Sequence, residues 1–234
     1  MPKPKIVILS GAGVSAESGL ATFRGSDGLW EGHRVEDVAT PQGFRQNPTL
    51  VLEFYNQRRR QAKNALPNTA HLAIKDLEKD FDLVVITQNV DNLHEKAGST
   101  KVMHLHGELF KTRSTKNENS VFELNGTELI LGDLAPDGSQ LRPHIVWFGE
   151  AVPMMDSAID QVASADAMVV IGTSLQVYPA ASLVDFLPKG SLLFVVDPFT
   201  PSLSGRKKQV VIQKVATEGM VEVMHLLKEK FSKN

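Results

Sequence analysis

The 234-residue sequence has no cysteine, and that absence excludes disulfides, a thiol nucleophile and any thiolate metal site. Neither sign of charge is in surplus: 25 Lys and Arg stand against 27 Asp and Glu, a formal net charge of -2. A chain so balanced gives no electrostatic reason to expect nucleic acid or an anionic membrane as partner. No apolar run approaches the length of a membrane span. The opening Met1-Pro2-Lys3-Pro4 leads straight into a short strand-like run, without the longer apolar stretch and cleavage site of a signal peptide. A cytoplasmic monomer is expected. What the chain does have is 42% hydrophobic residues, enough to bury a core in one good-sized α/β domain or a large domain carrying a smaller insert.

Several short β-branched runs bounded by turn residues read as buried parallel strands: Lys5 to Leu9, Leu83 to Thr87, Met168 to Gly172, Leu192 to Val196 and Val210 to Gln213. Helical patterns lie between them at Asn68 to Lys79, Asp156 to Ser164, Ala180 to Leu187 and Glu218 to Phe231. This alternation predicts an α/β fold, a Rossmann-like doubly wound parallel sheet. Two stretches interrupt it. His33 to Ala65 reads as helical, and Lys111 to Leu141 as polar and turn-rich, with a hairpin signal at Asn125-Gly126. The expected division is a dinucleotide-binding domain of residues 1–32, 66–110 and 142–234, with a smaller inserted domain built from 33–65 and 111–141.

Gly11-Ala12-Gly13-Val14-Ser15-Ala16 follows the first strand and fits G-x-G-x-x-A. Glycines there let the backbone turn tightly and approach a pyrophosphate, met by free amides at the next helix start. Similar loops also occur where nothing binds. An ordinary hydride-transfer enzyme places an acid at the end of the second strand to hold a ribose. Here Leu83 to Thr87 ends in Gln88-Asn89-Val90-Asp91, and the better-placed acid is Asp197, just after Leu192 to Val196. That spacing disfavours a standard dehydrogenase.

Five segments in one order carry a more specific signal: GAGVSAESGLATFRG from Gly11 to Gly25, QNVDNL from Gln88 to Leu93, HLHG from His104 to Gly107, RPHIVWFGE from Arg142 to Glu150, and GTS from Gly172 to Ser174. The set resembles the sirtuins, NAD-dependent protein lysine deacylases. The resemblance implies cleavage of nicotinamide from NAD and release of O-acyl-ADP-ribose and free lysine, with acylated lysine side chains of proteins as partners. It implies a phosphate cradle at Gly11, Ala12 and Gly13, and nicotinamide and ribose contacts from Asn89 and Asp91. His106 would be the base, a task that suits imidazole. Phe23 and Arg24 would lie on a loop closing over the cofactor. The same match assigns Ser15, Glu17, Thr22, Trp30, Gln88, Val90, Gly172, Thr173, Ser174, Asp197 and Ala216 to the NAD site. It assigns Val146, Trp147, Phe148, Gly149 and Glu150 to the segment that receives the substrate peptide as an added strand.

Plainer readings of the same residues remain open. His106 could be a hydrogen-bonded strand histidine, or pair with His104 at a metal, although no third ligand has an obvious spacing. Asn89 and Asp91 could cap the next helix, Arg24 could be a surface charge, Ile145 to Phe148 a buried strand, and Gly172 to Ser174 a plain turn.

Tyr55 and Arg58, three apart on a helix, share a face. The segment FYNQR from Phe54 to Arg58 resembles the sirtuin subgroup that removes succinyl and malonyl groups, where Tyr and Arg bind the distal carboxylate. A guanidinium fork and a phenol suit that anion. Thr22 before Phe23-Arg24 also fits the subgroup. The competing account is a solvated basic face, since Arg58 belongs to a triple-arginine run. Most sirtuins also carry four zinc-binding cysteines, absent here. A hairpin packed through Val121, Phe122, Leu124, Leu129 and Leu131 is expected in their place, and no metal. Asp197 stands where the family commonly has Asn; it would repel a 2′-phosphate and so favours NAD over NADP. A mono-ADP-ribosyltransferase and a non-catalytic NAD-sensing module are the alternative functions.

Overall fold

In the computed structural model, which describes residues 2–21, 29–199 and 208–231, the run KIVILS forms β1 (Lys5–Ser10). Two short 3-10 turns, Ala12–Val14 and Ala16–Ser18, follow where the sequence suggests a helix start. Next, β2 (Leu29–Trp30) and β3 (His33–Arg34) pair antiparallel across Glu31-Gly32. The helical stretch expected from His33 to Ala65 is therefore part hairpin, and its remainder is broken into α1 (Val35–Val38), α2 (Pro41–Gln46) and α3 (Pro48–Asn64). The cause is local. Thr40 and Asn47 each accept the amide three residues on, and each precedes a proline at the first helical position.

From there α4 (Thr69–Leu77) starts at a capping box between Asn68 and His71. It is followed by β4 (Asp82–Thr87), α5 (Leu93–Lys96), β5 (Val102–His104), β6 (Gly107–Ser114), β7 (Val121–Glu123) and β8 (Leu141–Ile145). The chain closes with α6 (Met155–Ala163), β9 (Ala167–Ile171), β10 (Leu192–Val196), β11 (Gln209–Ile212) and α7 (Ala216–Phe231). Ala180–Phe186, expected as an α-helix, is a 3-10 segment between Pro179 and Pro188.

The six-stranded sheet runs β11-β10-β9-β1-β4-β5, every pair parallel. The two-residue repeat of a strand sorts its side chains: Ile6 and Ile8 pack with α4 and α7, Val7 and Leu9 with α6 and the 3-10 segment. Both faces are covered, so the sheet is doubly wound as expected. Beside it stands an antiparallel sheet, β7-β6-β8, which shares a third apolar cluster with α3 through Phe54, Tyr55, Leu109, Ile145 and Trp147. Its strands begin at Gly107 and end at Ile145, overrunning the expected boundaries at 110 and 142.

The region without cysteines is held differently from the expected hairpin. Asn125-Gly126 does not join paired strands; β6 pairs with β7 across residues 115–120 and with β8. Of the five residues expected to pack there, Leu129 is buried, whereas Val121 and Leu131 are exposed. Polar side chains from α3 hold the loop. Asn56 accepts the Leu129 amide at 3.0 Å and donates to its carbonyl at 3.1 Å. Arg59, fully buried, donates to the carbonyls of Thr127 (2.9 Å) and Leu109 (3.2 Å) and to Asn56 Oδ1. Arg59→Ala strands these acceptors, and we expect it to lower stability by about 3 kcal/mol in denaturant titrations. A change under 1 kcal/mol would show that the clamp is not needed.

Candidate active site

At the carboxyl edge of the parallel sheet, where open α/β sheets take ligands, lies a cavity of about 550 Å³ reaching across to α3 and the chain after β8. Every described residue assigned from the sequence to catalysis, NAD or the acyl-lysine substrate lines it: Gly11, Ala12, Gly13, Ser15, Glu17, Trp30, Tyr55, Arg58, Gln88, Asn89, Val90, Asp91, His106, Val146, Trp147, Phe148, Gly149, Glu150, Gly172, Thr173, Ser174, Asp197 and Ala216; His104 does not. Thr22, Phe23 and Arg24 lie outside the described residues.

The glycines also have a packing role, beyond the one the loop pattern suggests. A Cβ on Gly11 would sit 2.6 Å from Thr173 Cβ, and one on Gly13 2.7 Å from Gly172 Cα. Gly172, at φ 63°, would push a Cβ to within 2.3 Å of the Val14 nitrogen. These glycines let the loops after β1 and β9 lock together, fixed by the Gly13 amide on the Gly172 carbonyl at 2.8 Å.

The polar floor follows β4. Asn89 Nδ2 donates to Ser15 Oγ, which donates to Asp91 Oδ2, both at 3.1 Å. The Asn89 amide is held by Thr87 Oγ1 at 3.0 Å. The capping account holds in part for Asp91, whose Oδ1 accepts the Leu93 amide at 3.1 Å, and fails for Asn89. Burial raises the Asp91 carboxyl, and the hydrogen bonds from Leu93 and Ser15 oppose it.

The two histidines of HLHG do different work. His106 Nδ1 lies 3.0 Å from the Gln88 carbonyl. A carbonyl only accepts, so the proton is assigned to Nδ1 and Nε2 keeps its lone pair. Burial lowers the His106 pKa against the opposing pull of that hydrogen bond, so the ring is neutral near pH 7. His104 has an acceptor at each nitrogen, the Asn89 carbonyl at 2.9 Å and Glu95 Oε1 at 2.7 Å. Burial opposes charge on it, but Glu95, the Asn89 carbonyl and Glu108 together outweigh burial and its pKa rises. Held by an acceptor at each nitrogen, His104 positions the loop. Gly107, at φ 82°, sets the approach, since a Cβ there would meet the His144 carbonyl oxygen at 2.0 Å.

Across the cavity, Trp147 Nε1 donates to the Tyr55 hydroxyl at 3.0 Å, and Arg142 stacks on the indole at 3.3 Å. Burial pushes the Tyr55 phenol up, so it stays a neutral donor. Arg58, on the next turn of α3, is nearly buried. Its Nε and Nη1 have no hydrogen-bond partner among the described residues, and its guanidinium carbon lies 4.6 Å from the Phe54 ring centre. The solvated-face account therefore fits only Arg60 of the arginine run, which is exposed and paired with Glu53 and Glu128. Glu150 is taken up by Arg142, Arg113 and the Trp147 amide and so anchors its segment. Phe148 is exposed at the rim. Glu17 accepts from both the amide and the hydroxyl of Thr217 at the start of α7, and Asp197 Oδ1 accepts the Phe199 amide at 2.9 Å.

Sequence reading missed the layer beneath. His94 Nε2 lies 2.9 Å from Ser10 Oγ, which donates to Thr87 Oγ1 at 2.9 Å; the His71 and His94 rings are 4.9 Å apart. Burial holds His71 down at about 4 and His94 well below its ordinary value. The unfolded chain takes up these protons below about pH 6.5; the folded chain does not. Stability is then complete above that pH and falls as pH drops toward about 4, by up to about 1.4 kcal/mol per unit for each ring. Urea midpoints near pH 7.5 and pH 5 measure this, and equal midpoints would refute it.

Among known proteins, a family model described as the Sir2 family matches residues 11–179. A Helicobacter pylori protein named NAD-dependent protein deacylase is 52% identical over 227 residues, covering 97% of this chain and 99% of the relative. A Bacteroides thetaiotaomicron protein of the same name is 49% identical over 227 residues, covering 95% and 97%. A crystal structure of a Sir2 homolog–NAD complex superposes with TM-score 0.87 at 41% identity, covering 97% of this chain and 91% of the other.

Proposed function

The chain belongs to the Sir2 family, and from that premise we propose how its own residues carry out NAD-dependent protein-lysine deacylation, with succinyl and malonyl as well as acetyl groups as substrates. The residues fit NAD. The cavity of about 550 Å³ falls within the roughly 300–1,000 Å³ of small-molecule sites. The interlocked glycines keep side chains out of the cleft between the β1 and β9 loops, leaving backbone to face a pyrophosphate. A buried carboxylate, Asp197, follows β10 on the side expected for the adenosine ribose. Bound NAD would supply an activated ribose carbon: the acyl oxygen would displace nicotinamide there, and water would then break the acyl–lysine bond, leaving free lysine and O-acyl-ADP-ribose.

The protein supplies the rest. Asn89, fixed at amide, carbonyl and side chain, offers a carboxamide at a set position, and Asp91 a carboxylate beside it. His106 Nε2 is the base that takes a hydroxyl proton, its ring oriented through Nδ1 on Gln88. Residues Val146 to Gly149 form the wall along which an acyl-lysine peptide would lie. The six-stranded sheet and its helices form the NAD-binding unit; α1–α3 with β6–β8 form the smaller one, and the cleft between them takes both substrates.

The observation that carries the charged-acyl reading is Arg58: a nearly buried cation lining the cavity one turn from Tyr55, with no hydrogen bond from Nε or Nη1 among the described residues and Nη2 left for a ligand. Incubation with NAD and a succinyl-lysine peptide, followed by mass spectrometry, tests it. Release of O-succinyl-ADP-ribose supports the reading. ADP-ribosylated protein would point to a transferase, and intact NAD to a sensor. We also propose that the Arg59 and Asn56 clamp replaces the family's zinc. Elemental analysis of purified protein should find no stoichiometric zinc, and one zinc per chain would sink the idea.

A further inference from the structure

The link between β2 and β3 is a two-residue turn, Glu31-Gly32, with both residues in the left-handed region at φ 51° and 80°. Such turns favour Asn-Gly or Gly-Gly, because a Cβ at positive φ crowds its own backbone. A glutamate at the first position goes against that preference, and strained positions of this kind collect at functional sites. Its side chain points at a specific target. Glu31 Oε2 lies 3.7 Å from Arg58 Nη2, with the two side chains 26% and 10% exposed, and both residues line the cavity.

Arg58 has little else to offer a ligand. Its Nε and Nη1 are closed off without partners, which leaves Nη2 as the nitrogen open to an incoming group. A ligand carboxylate that reaches Arg58 engages it through Nη2, in a single charge-assisted hydrogen bond. A ligand carboxylate entering beside Tyr55 therefore meets Glu31 at the nitrogen it needs.

We propose that Glu31 is a specificity-determining residue: its carboxylate is the resident counter-ion of Arg58, kept when an uncharged acyl group is bound and displaced, or made to share Arg58, when a dicarboxylic acyl group enters. The proposal rests on the reading that Arg58 receives the distal carboxylate. It explains how one pocket takes both substrates. With acetyl bound, Arg58 would be a buried cation with no anion, a costly state that Glu31 prevents. With succinyl bound, two carboxylates face one cation, and their repulsion weakens binding of the charged acyl group. Glu31 thus trades succinyl affinity for breadth.

Glu31→Gln keeps the side-chain size and removes the charge. The ratio of kcat/KM for succinyl-lysine over acetyl-lysine peptide should rise about tenfold, equivalent to ~1.4 kcal/mol, chiefly through a lower KM for the succinyl peptide. Glu31→Asn, which the turn favours, should shift the ratio the same way without lowering the unfolding temperature, so misfolding cannot mimic the result. A ratio that stays within about twofold, or falls, in both variants of an enzyme whose desuccinylation depends on Arg58 overturns the role of Glu31 alone. A wild-type enzyme that does not desuccinylate overturns the Arg58 reading together with it.

Discussion

His106→Ala should lower kcat for deacylation by about 10²–10⁴-fold, the range general-base catalysis commonly supplies, while the protein stays folded. Among the described residues the ring makes one hydrogen bond, to the Gln88 carbonyl, and Gly107, not His106, sets the approach of β6 to His144. The fold can therefore lose the imidazole without losing the cleft, and NAD binding should survive the substitution. The pH profile gives a second reading. The base works only with Nε2 unprotonated, and burial places the His106 pKa below its ordinary value. Activity should be flat near neutrality and fall as pH drops through a limb below about 6.5. The acidic limb should vanish in His106→Ala, leaving a low, flat rate. A limb above pH 7 in the wild type, or one that persists in the variant, would assign the base elsewhere.

Arg58→Ala should cut kcat/KM on a succinyl-lysine peptide by about 10²-fold, or ~2.7 kcal/mol, within the range for removing one partner of a buried, hydrogen-bonded charge pair. Deacetylation should fall far less, since acetyl carries no charge to lose. Glu31, left without its cation, is 26% exposed and can hydrate, so the variant does not leave a sealed carboxylate behind. Arg58→Lys should recover part of the loss, because an ammonium supplies the charge but not at the position of Nη2. Equal losses on both peptides would mean that Arg58 shapes the cavity without reading the acyl group.

How much of this was legible in the sequence depends on the distance over which each signal acts. The strands β1, β4, β9 and β10 are legible because parallel strands covered on both faces read as unbroken apolar runs. The site motifs converge for a topological reason: Gly11, Gln88 and Gly172 each follow a strand of one parallel sheet, so all three reach the same edge. The breaks at Thr40 and Asn47 were written locally as cap and proline, yet a helical reading of His33 to Ala65 ran over them. The arginine run shows the limit. Arg58, Arg59 and Arg60 are adjacent in sequence, but helical rotation points them to the cavity, the interior and solvent in turn. Only packing against Leu109 and Thr127 decides which is which. Ser10, Thr87 and His94 meet from separate segments, and no local pattern marks Glu31 as the partner of a residue on α3.

The clamp of Arg59 and Asn56 on the loop at residues 127–129 has neither a redox couple nor an exchangeable ion. A thiolate clasp opens when peroxide converts its sulfur to a sulfenic acid, or when a chelator removes its metal. A guanidinium held on carbonyl oxygens yields only when the surrounding backbone unfolds. With this clamp in the place of zinc, as proposed, the cleft beside it would keep its shape under oxidant or metal starvation, and turnover would follow dinucleotide supply and acyl load instead of thiol balance.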